Sequence, residues 1–215
     1  MAENIESDNG VVHRLRNRIQ IIGGLLRLHA DHVEEAKALD LFRKLRTRLA
    51  VLEATSFLAI ERPHQPAAVR PVVEAIAITV GRIYDEQNRH RCAIDGGDFR
   101  VDAVALAVAG QIFAEYLSTM HSRRSLRGVP TDIVAAIDFD AEGVVTLSVR
   151  DRNFVSGGRA EAVDPLTAKM VSALAGSIGG EAQFDGDAVF DARLTFKARV
   201  EPGVGDDPHP ERPAG

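Results

Sequence analysis

The stretch VVHRLRNRIQIIGGLLRLHADH, residues 11–32, decides how the chain is read. Its apolar residues Val12, Leu15, Ile19, Ile22 and Leu26, continued by Val33, recur at intervals of three, four or seven. That is the stripe of a helix that packs lengthwise against another helix. Beside the stripe, His13, Asn17, Gln20 and Gly24 are spaced four, three and four apart. They therefore share one face, next to the seam rather than in it, and can be reached from outside. Gly23 and Gly24 each cost about 0.8–1 kcal/mol relative to Ala in a helix interior, so their presence calls for a compensating use. Missing side chains below the histidine leave a shallow surface where another protein's backbone can come close.

Working outward, no proline interrupts residues 11–62. A second run, Phe42, Leu45, Leu49 and Leu52, followed by Ser56 and Ala59, keeps the same rhythm until Pro63. The pattern predicts a helical hairpin over 11–62 with its turn near residues 30–36. Each helix also carries a second apolar column, Val11, Leu25 and Leu28 on the first and Leu41, Val51 and Leu58 on the second. A hairpin buries one seam, so the surplus predicts a second copy of the chain and a dimeric four-helix bundle.

After HQPAAVRP (residues 64–71) the sequence changes style. Its periodicities predict helices near 70–86, 103–122 and 164–178, with strands near 90–94, 99–101, 131–139, 143–150, 181–186 and 189–200. Glu142-Gly143 and Gly186-Asp187 read as hairpin turns, and Gly179-Gly180 as a helix C-cap. The expected fold class is therefore α+β: a helical hairpin, 11–62, followed over 63–200 by an α/β sandwich of helices on one sheet. The acidic start, residues 1–10, and the Pro- and Gly-rich end, residues 201–215, are expected to be disordered.

Composition narrows the function. With 215 residues and 45% hydrophobic content the chain can build a core without staples, and its single cysteine, Cys92, excludes an internal disulfide and a Cys-rich zinc site. No basic-then-apolar leader opens the chain and no apolar run reaches bilayer length, so a cytoplasmic protein without membrane contact is expected. The net charge is −5, yet residues 11–52 hold nine Arg or Lys against four acids. Such a surface attracts acidic proteins or nucleic acid. No aromatic platform or finger pattern accompanies it, so nucleic acid is not the expected partner.

An exposed imidazole that is neutral near pH 7 is a competent acceptor for a phosphoryl group. Arg14 and Arg18 stand ready to meet phosphate charge, while Asn17 and Gln20 offer hydrogen bonds without competing as nucleophiles. The segment HRLRNRIQIIGGLLRLHAD resembles the phosphoacceptor helix of HisKA_2/HWE-type sensor histidine kinases, approximately H-R-x-x-N-x-h-Q-h-h-x-x-L-L-x-L-Q with h apolar. His13, Arg14, Asn17, Gln20, Leu25, Leu26 and Leu28 fall at matching positions, and His29 stands where Gln is frequent. The resemblance implies that His13 is the phosphorylated residue and that residues 11–62 are the dimerisation and phosphotransfer hairpin.

The remainder resembles the family's ATP-binding domain in order and length but departs in chemistry. FRVDAVALAVAGQIFAEYLSTMHSRR (99–124) lies at the helix that usually reads N-E-L-x-x-N-A; Glu115 matches, and Thr119 replaces the Mg-coordinating Asn. VTLSVRDRNFVSGG (145–158) keeps Asp151 of the D-x-G-x-G loop, with Asn153 and Val155 where the glycines belong. Pro165 and Thr167 replace the glycines of the G-L-G-L motif, and the nucleotide lid is short. Val11 and Val12 precede His13, where these kinases usually place an acid as base. Transfer from another protein's phosphoaspartate asks for less, because a receiver domain brings its own Mg.

The expectation is thus a histidine phosphotransferase in a phosphorelay, binding no cofactor itself. It would exchange phosphoryl groups between His13 and receiver aspartates. Arg16, Arg18, Gly23, Gly24 and Arg27 would face the partner, and Thr119 and Asp151 would mark a degenerate nucleotide site. The alternatives are a divergent but active kinase and a non-catalytic module that sequesters a response regulator. His29 and His32 read as a polar face near the turn, DGGD (95–98) as a turn, AGSIGG as no hydrolase elbow, and Cys92 as a small core residue.

Overall fold

The computed structural model describes residues 19–29, 35–61, 65–84, 91–125, 131–152, 163–185 and 191–202. A first helix, α1, covers residues 19–29. It is followed by α2 (Ala36–Glu61), β1 (Pro66–Ala68), α3 (Val69–Tyr84), β2 (Arg91–Gly96), β3 (Phe99–Asp102) and α4 (Ala103–Ser125). Then come β4 (Asp132–Phe139), β5 (Val144–Asp151), α5 (Pro165–Ser177), β6 (Glu181–Asp185), β7 (Asp191–Lys197) and β8 (Glu201–Pro202). The fold is mixed α and β, as the patterning predicts.

Five strands form the main sheet in the order β2-β4-β5-β7-β6, parallel only between β2 and β4. Strict alternation gives that sheet one wet and one dry face. Ile133, Ala135 and Ile137 of β4, Val145, Leu147 and Val149 of β5, and Ala192, Leu194 and Phe196 of β7 are all buried. The register aligns Ile137, Leu147 and Leu194 in one row across three strands. The helices α3, α4 and α5 cover this dry face, and α2 lies outside them against α4 and α3.

Helix α4 thus runs between the sheet and α2. An element covered on both sides must be apolar all round, and Ile112, Phe113, Tyr116, Leu117 and Met120 are 0–2% exposed. This corrects one sequence expectation. Residues Ala103–Arg124 are long and apolar enough to cross a bilayer by length and composition, but 78% of that window is buried inside the fold. Burial on both faces, rather than lipid, accounts for the apolar run.

Turn chemistry follows the sequence closely. Gly143, at φ +78°, closes the β4–β5 hairpin, and Asp140 Oδ1 accepts from the N–H groups of Glu142 and Val144 at 2.9 Å each. Helix α5 ends in a Schellman motif: Gly179, at φ +65°, donates to Gly176 O and Gly180 donates to Ala175 O. At its start, Asp164 caps the N–H groups of Leu166 and Thr167, and Pro165 takes the first helical position. Pro165 and Thr167 therefore belong to a helix start; Thr167 Oγ1 also donates to Asp164 at 3.1 Å. The second hairpin turn, Gly186-Asp187, lies outside the described residues.

Three features depart from the sequence reading. The helices do not rest on one sheet alone, because β3 leaves the main sheet to pair antiparallel with both β1 and β8. β1 falls in the stretch read as a linker, and β8 falls just inside the tail expected to be disordered. Both are two or three residues long and include a proline, too short to show an alternation. Third, Val51 does not wait for a second chain: it is 1% exposed and belongs to the core, and Leu58 packs against that core.

The close approach of backbones near α5 predicts opposite effects of two glycine substitutions. A Cβ on Gly180 would lie 2.5 Å from Thr195 O and 2.8 Å from Phe196 Cβ, whereas one on Gly176 meets nothing within 4 Å. In urea denaturation Gly180→Ala should cost about 1–3 kcal/mol, and Gly176→Ala should raise stability by about 0.5 kcal/mol.

Candidate functional site

The site is built where the hairpin meets the α/β layer. His13, Arg14, Arg16, Asn17 and Arg18 lie outside the described residues. Gln20, Gly23, Gly24 and Arg27 fall on α1, where all four line a cleft of about 440 Å³. Its other walls come from α2, with Arg46, Leu49, Ala50 and Glu53, and from α3, with Thr79, Arg82 and Ile83. Gln20 Nε2 donates to Glu53 Oε1 at 2.7 Å and so ties α1 to α2 across the hairpin. A Cβ on Gly23 or Gly24 would meet no atom within 4 Å, so both glycines face open space.

Further along, His29 Nδ1 lies 2.8 Å from Leu25 O, and because a carbonyl only accepts, that nitrogen is the donor. Among the described residues no group of three or more His, Cys, Asp or Glu is placed to hold a metal ion. Burial pushes the half-buried Cys92 thiol up to about 12, which keeps it protonated and a poor nucleophile.

The junction between α2 and α4 is polar at one point. Arg48 Nε and Nη2 donate to Glu115 Oε1 and Oε2 at 2.7 and 3.0 Å, a two-pronged pair. Glu115 is 4% exposed and is the only acid on α4. Its hydrogen bonds raise the Arg48 guanidinium further above its usual range. Around the pair, Thr47, Val51 and Thr55 bury the same face of α2. Gly110 of α4 makes the close approach possible, since a Cβ there would lie 2.8 Å from Ile76 Cδ1 and 3.3 Å from Thr55 Cγ2. The sequence contained a signal for this pair: a lone carboxylate on an apolar helix needs a buried cation. The signal does not say which arginine answers it.

Of the two residues read as a degenerate nucleotide site, Thr119 lies one turn beyond Glu115 on α4 and Asp151 ends β5. Thr119 is buried, and its hydroxyl donates to Glu115 O of its own helix at 2.7 Å. Asp151, 3% exposed at the end of β5, accepts from Arg124 Nε at 2.6 Å. Nearby, His121 stacks on Tyr84 with ring centroids 5.7 Å apart and lies 3.2 Å from Thr131 Oγ1. Desolvation pushes the Tyr84 hydroxyl well above the usual tyrosine range. The described residues of this region thus form a cluster of buried polar groups, in which the Tyr84 and Ser118 hydroxyls have no hydrogen-bond partner.

Residues 11–57 match the family model HisKA_2, described as histidine kinase. The likeness in sequence is confined to this segment, about a fifth of the chain. The whole described architecture has the histidine kinase domain fold. It superposes on the histidine kinase domain of the Erythrobacter litoralis EL346 blue-light activated histidine kinase with a TM-score of 0.60 at 13% identity, covering 91% of this chain and 94% of that one. Against the longer EL346 blue-light activated histidine kinase the TM-score is 0.57 at 13% identity, over 86% of this chain and 59% of that one. No curated protein matches the chain significantly in sequence. The HisKA_2 segment runs through α1 and most of α2, and its far end is the part that packs on α4.

The Arg48–Glu115 pair yields a stability prediction. Arg48→Met strands a buried carboxylate and should cost about 2–3 kcal/mol, reduced from a fully buried case because the arginine is partly exposed. Arg48→Met combined with Glu115→Gln should cost less than Arg48→Met alone. A double-mutant cycle by chemical denaturation reads the coupling; additive losses would show that the two groups do not interact.

Proposed function

We propose that this chain is a histidine phosphotransferase of two-component signalling, exchanging phosphoryl groups between His13 and aspartates of response-regulator receiver domains instead of taking them from ATP. The observation that carries this reading is the pairing of Asp151 with Arg124 at 2.6 Å in a nearly closed environment. The carboxylate that the resemblance assigns to nucleotide recognition is committed to an internal cation. Two further groups are committed in the same way: Glu115 to Arg48, and the Thr119 hydroxyl to a backbone carbonyl. This donor set does not fit a metal-bound nucleotide, since a threonine whose hydroxyl bonds its own helix replaces the metal-coordinating asparagine.

In the proposed exchange, the neutral His13 imidazole attacks the phosphorus of a receiver's aspartyl phosphate in line. A P–N bond forms as the P–O bond to the aspartate breaks, and the carboxylate leaves; the reverse step returns the group. Arg14, Arg16 and Arg18 offset the charge of the transferring group and of the acidic receiver pocket, which supplies Mg. Asn17 offers hydrogen bonds next to the imidazole; Gln20, read from the sequence as a second such group, instead donates to Glu53 and holds α1 against α2. Gly23, Gly24 and Arg27 form the partner surface below. The exchange takes place in the cytoplasm, where receivers act.

Dimerisation is part of the proposal. Ile21, Ile22, Leu25 and Leu28 of α1, with Leu41, Leu45 and Leu52 of α2, are 37–63% exposed in the single chain, a patch that a second hairpin would cover in a four-helix bundle. Placing arginines at Leu45 and Leu52 should convert the dimer to a monomer by light scattering; a wild-type monomer at micromolar concentration would contradict this part.

The decisive assay mixes the purified chain with a phosphorylated cognate receiver. Label should appear on the wild type and be lost, by at least 100-fold, in His13→Ala. Failure to take label from every cognate receiver would leave the sequestering module as the better reading.

A further inference from the structure

The cleft beside α1 is not a feature of the hairpin alone, because its third wall is α3 of the α/β layer. Its cations come one from each helix, Arg27, Arg46 and Arg82. Among the described residues lining it, Glu53 is the one acid, and an oxygen of its carboxylate already accepts from Gln20. The described lining therefore carries more positive than negative charge.

Arg82 is held at a fixed place on the rim. Val80 and Tyr84, on either side of it in sequence, are buried in the core at 0% and 4% exposure and pin this turn of α3, while Arg82 itself is exposed. One turn before it, on the same face of α3, Ile78 is 54% exposed. A cationic cleft whose rim arginine has an exposed branched aliphatic one turn away has the composition of a protein interface: arginine to select charge and apolar surface to be covered. A small anion would satisfy the arginines and leave Ile78 in water.

We infer that the cleft carries the docking surface for an acidic protein partner from the hairpin onto α3, with Arg82 as a specificity-determining contact outside the HisKA_2 segment. The inference rests on the reading that acidic receiver surfaces dock on α1. A partner seated over Gly23 and Gly24 then touches two parts of the chain at once. Cationic contacts at the rim act chiefly on encounter and on discrimination between partners, and weaken with salt.

The test measures transfer from a phosphorylated receiver as a function of receiver concentration, using wild type, Arg82→Glu, and Arg199→Glu as the charge-matched control on an 88% exposed side chain. Arg82→Glu should raise KM about tenfold at low salt with kcat unchanged, and less at high salt, while Arg199→Glu behaves as wild type. Matching melting curves exclude a folding defect. An unchanged KM in Arg82→Glu, with wild-type transfer intact, overturns the inference and leaves the phosphotransfer reading standing. If the wild type transfers nothing, that reading fails, and the surface is judged by fluorescence anisotropy with unphosphorylated receiver: equal affinity for wild type and Arg82→Glu overturns it. Pyrophosphate binding that Arg82→Glu abolishes, with receiver affinity unaffected, would also overturn it in favour of a small-anion site.

Discussion

The structure depends on one ion pair, Arg48 to Glu115, that joins α2 to the central helix α4. Putting a carboxylate on a helix covered from both sides is costly, and only a well-oriented cation with two hydrogen bonds offsets the loss of water. Because the cation comes from the hairpin, Glu115 cannot be buried unless α2 is in place. Val51 and Thr55 bury beside the pair, and Gly110 brings the helices close enough for both to fit. The α/β layer thereby braces α2, and through the Gln20–Glu53 bond it also fixes α1.

This bracing gives the α/β layer a role that does not involve nucleotide. In phosphoryl transfer the protein supplies position and electrostatics, so a polar group turned inward is lost to an incoming nucleotide and its metal. Glu115, Thr119 and Asp151 are all turned to partners within the chain. Among the described residues, an open cleft lined by arginines runs along the hairpin. The proposed division follows from this contrast: the layer supports and extends a docking surface, and chemistry is left to the first helix and its partner.

Much of the fold was legible in the sequence because it is written in local signals. The alternation in β4, β5 and β7 and the glycines at 143 and 179 mark elements within a residue or three of where they stand. β1 and β8 were not legible, since two or three residues cannot display a period and their pairing with β3 is set by the tertiary fold. For the same reason the apolar columns of the hairpin were partly misread: Val51 and Leu58, assigned to a second chain, pack in this chain's own core, while Ile22, Leu45 and Leu52, assigned to the hairpin seam, are exposed in the single chain. The cleft-lining residues of α1 were legible as a reachable face. Arg82, Arg48 and Arg124 were not, because each matters through a residue far away in sequence or a wall built by another element.

The phosphotransferase reading turns on whether the pairing of Asp151 with Arg124 leaves room for nucleotide. Calorimetric titration of the full chain with ATP and Mg, followed by incubation with γ-labelled ATP, decides it. No heat of binding up to millimolar nucleotide and no label on His13 are expected; saturable binding with label appearing on His13 would contradict the phosphotransferase reading.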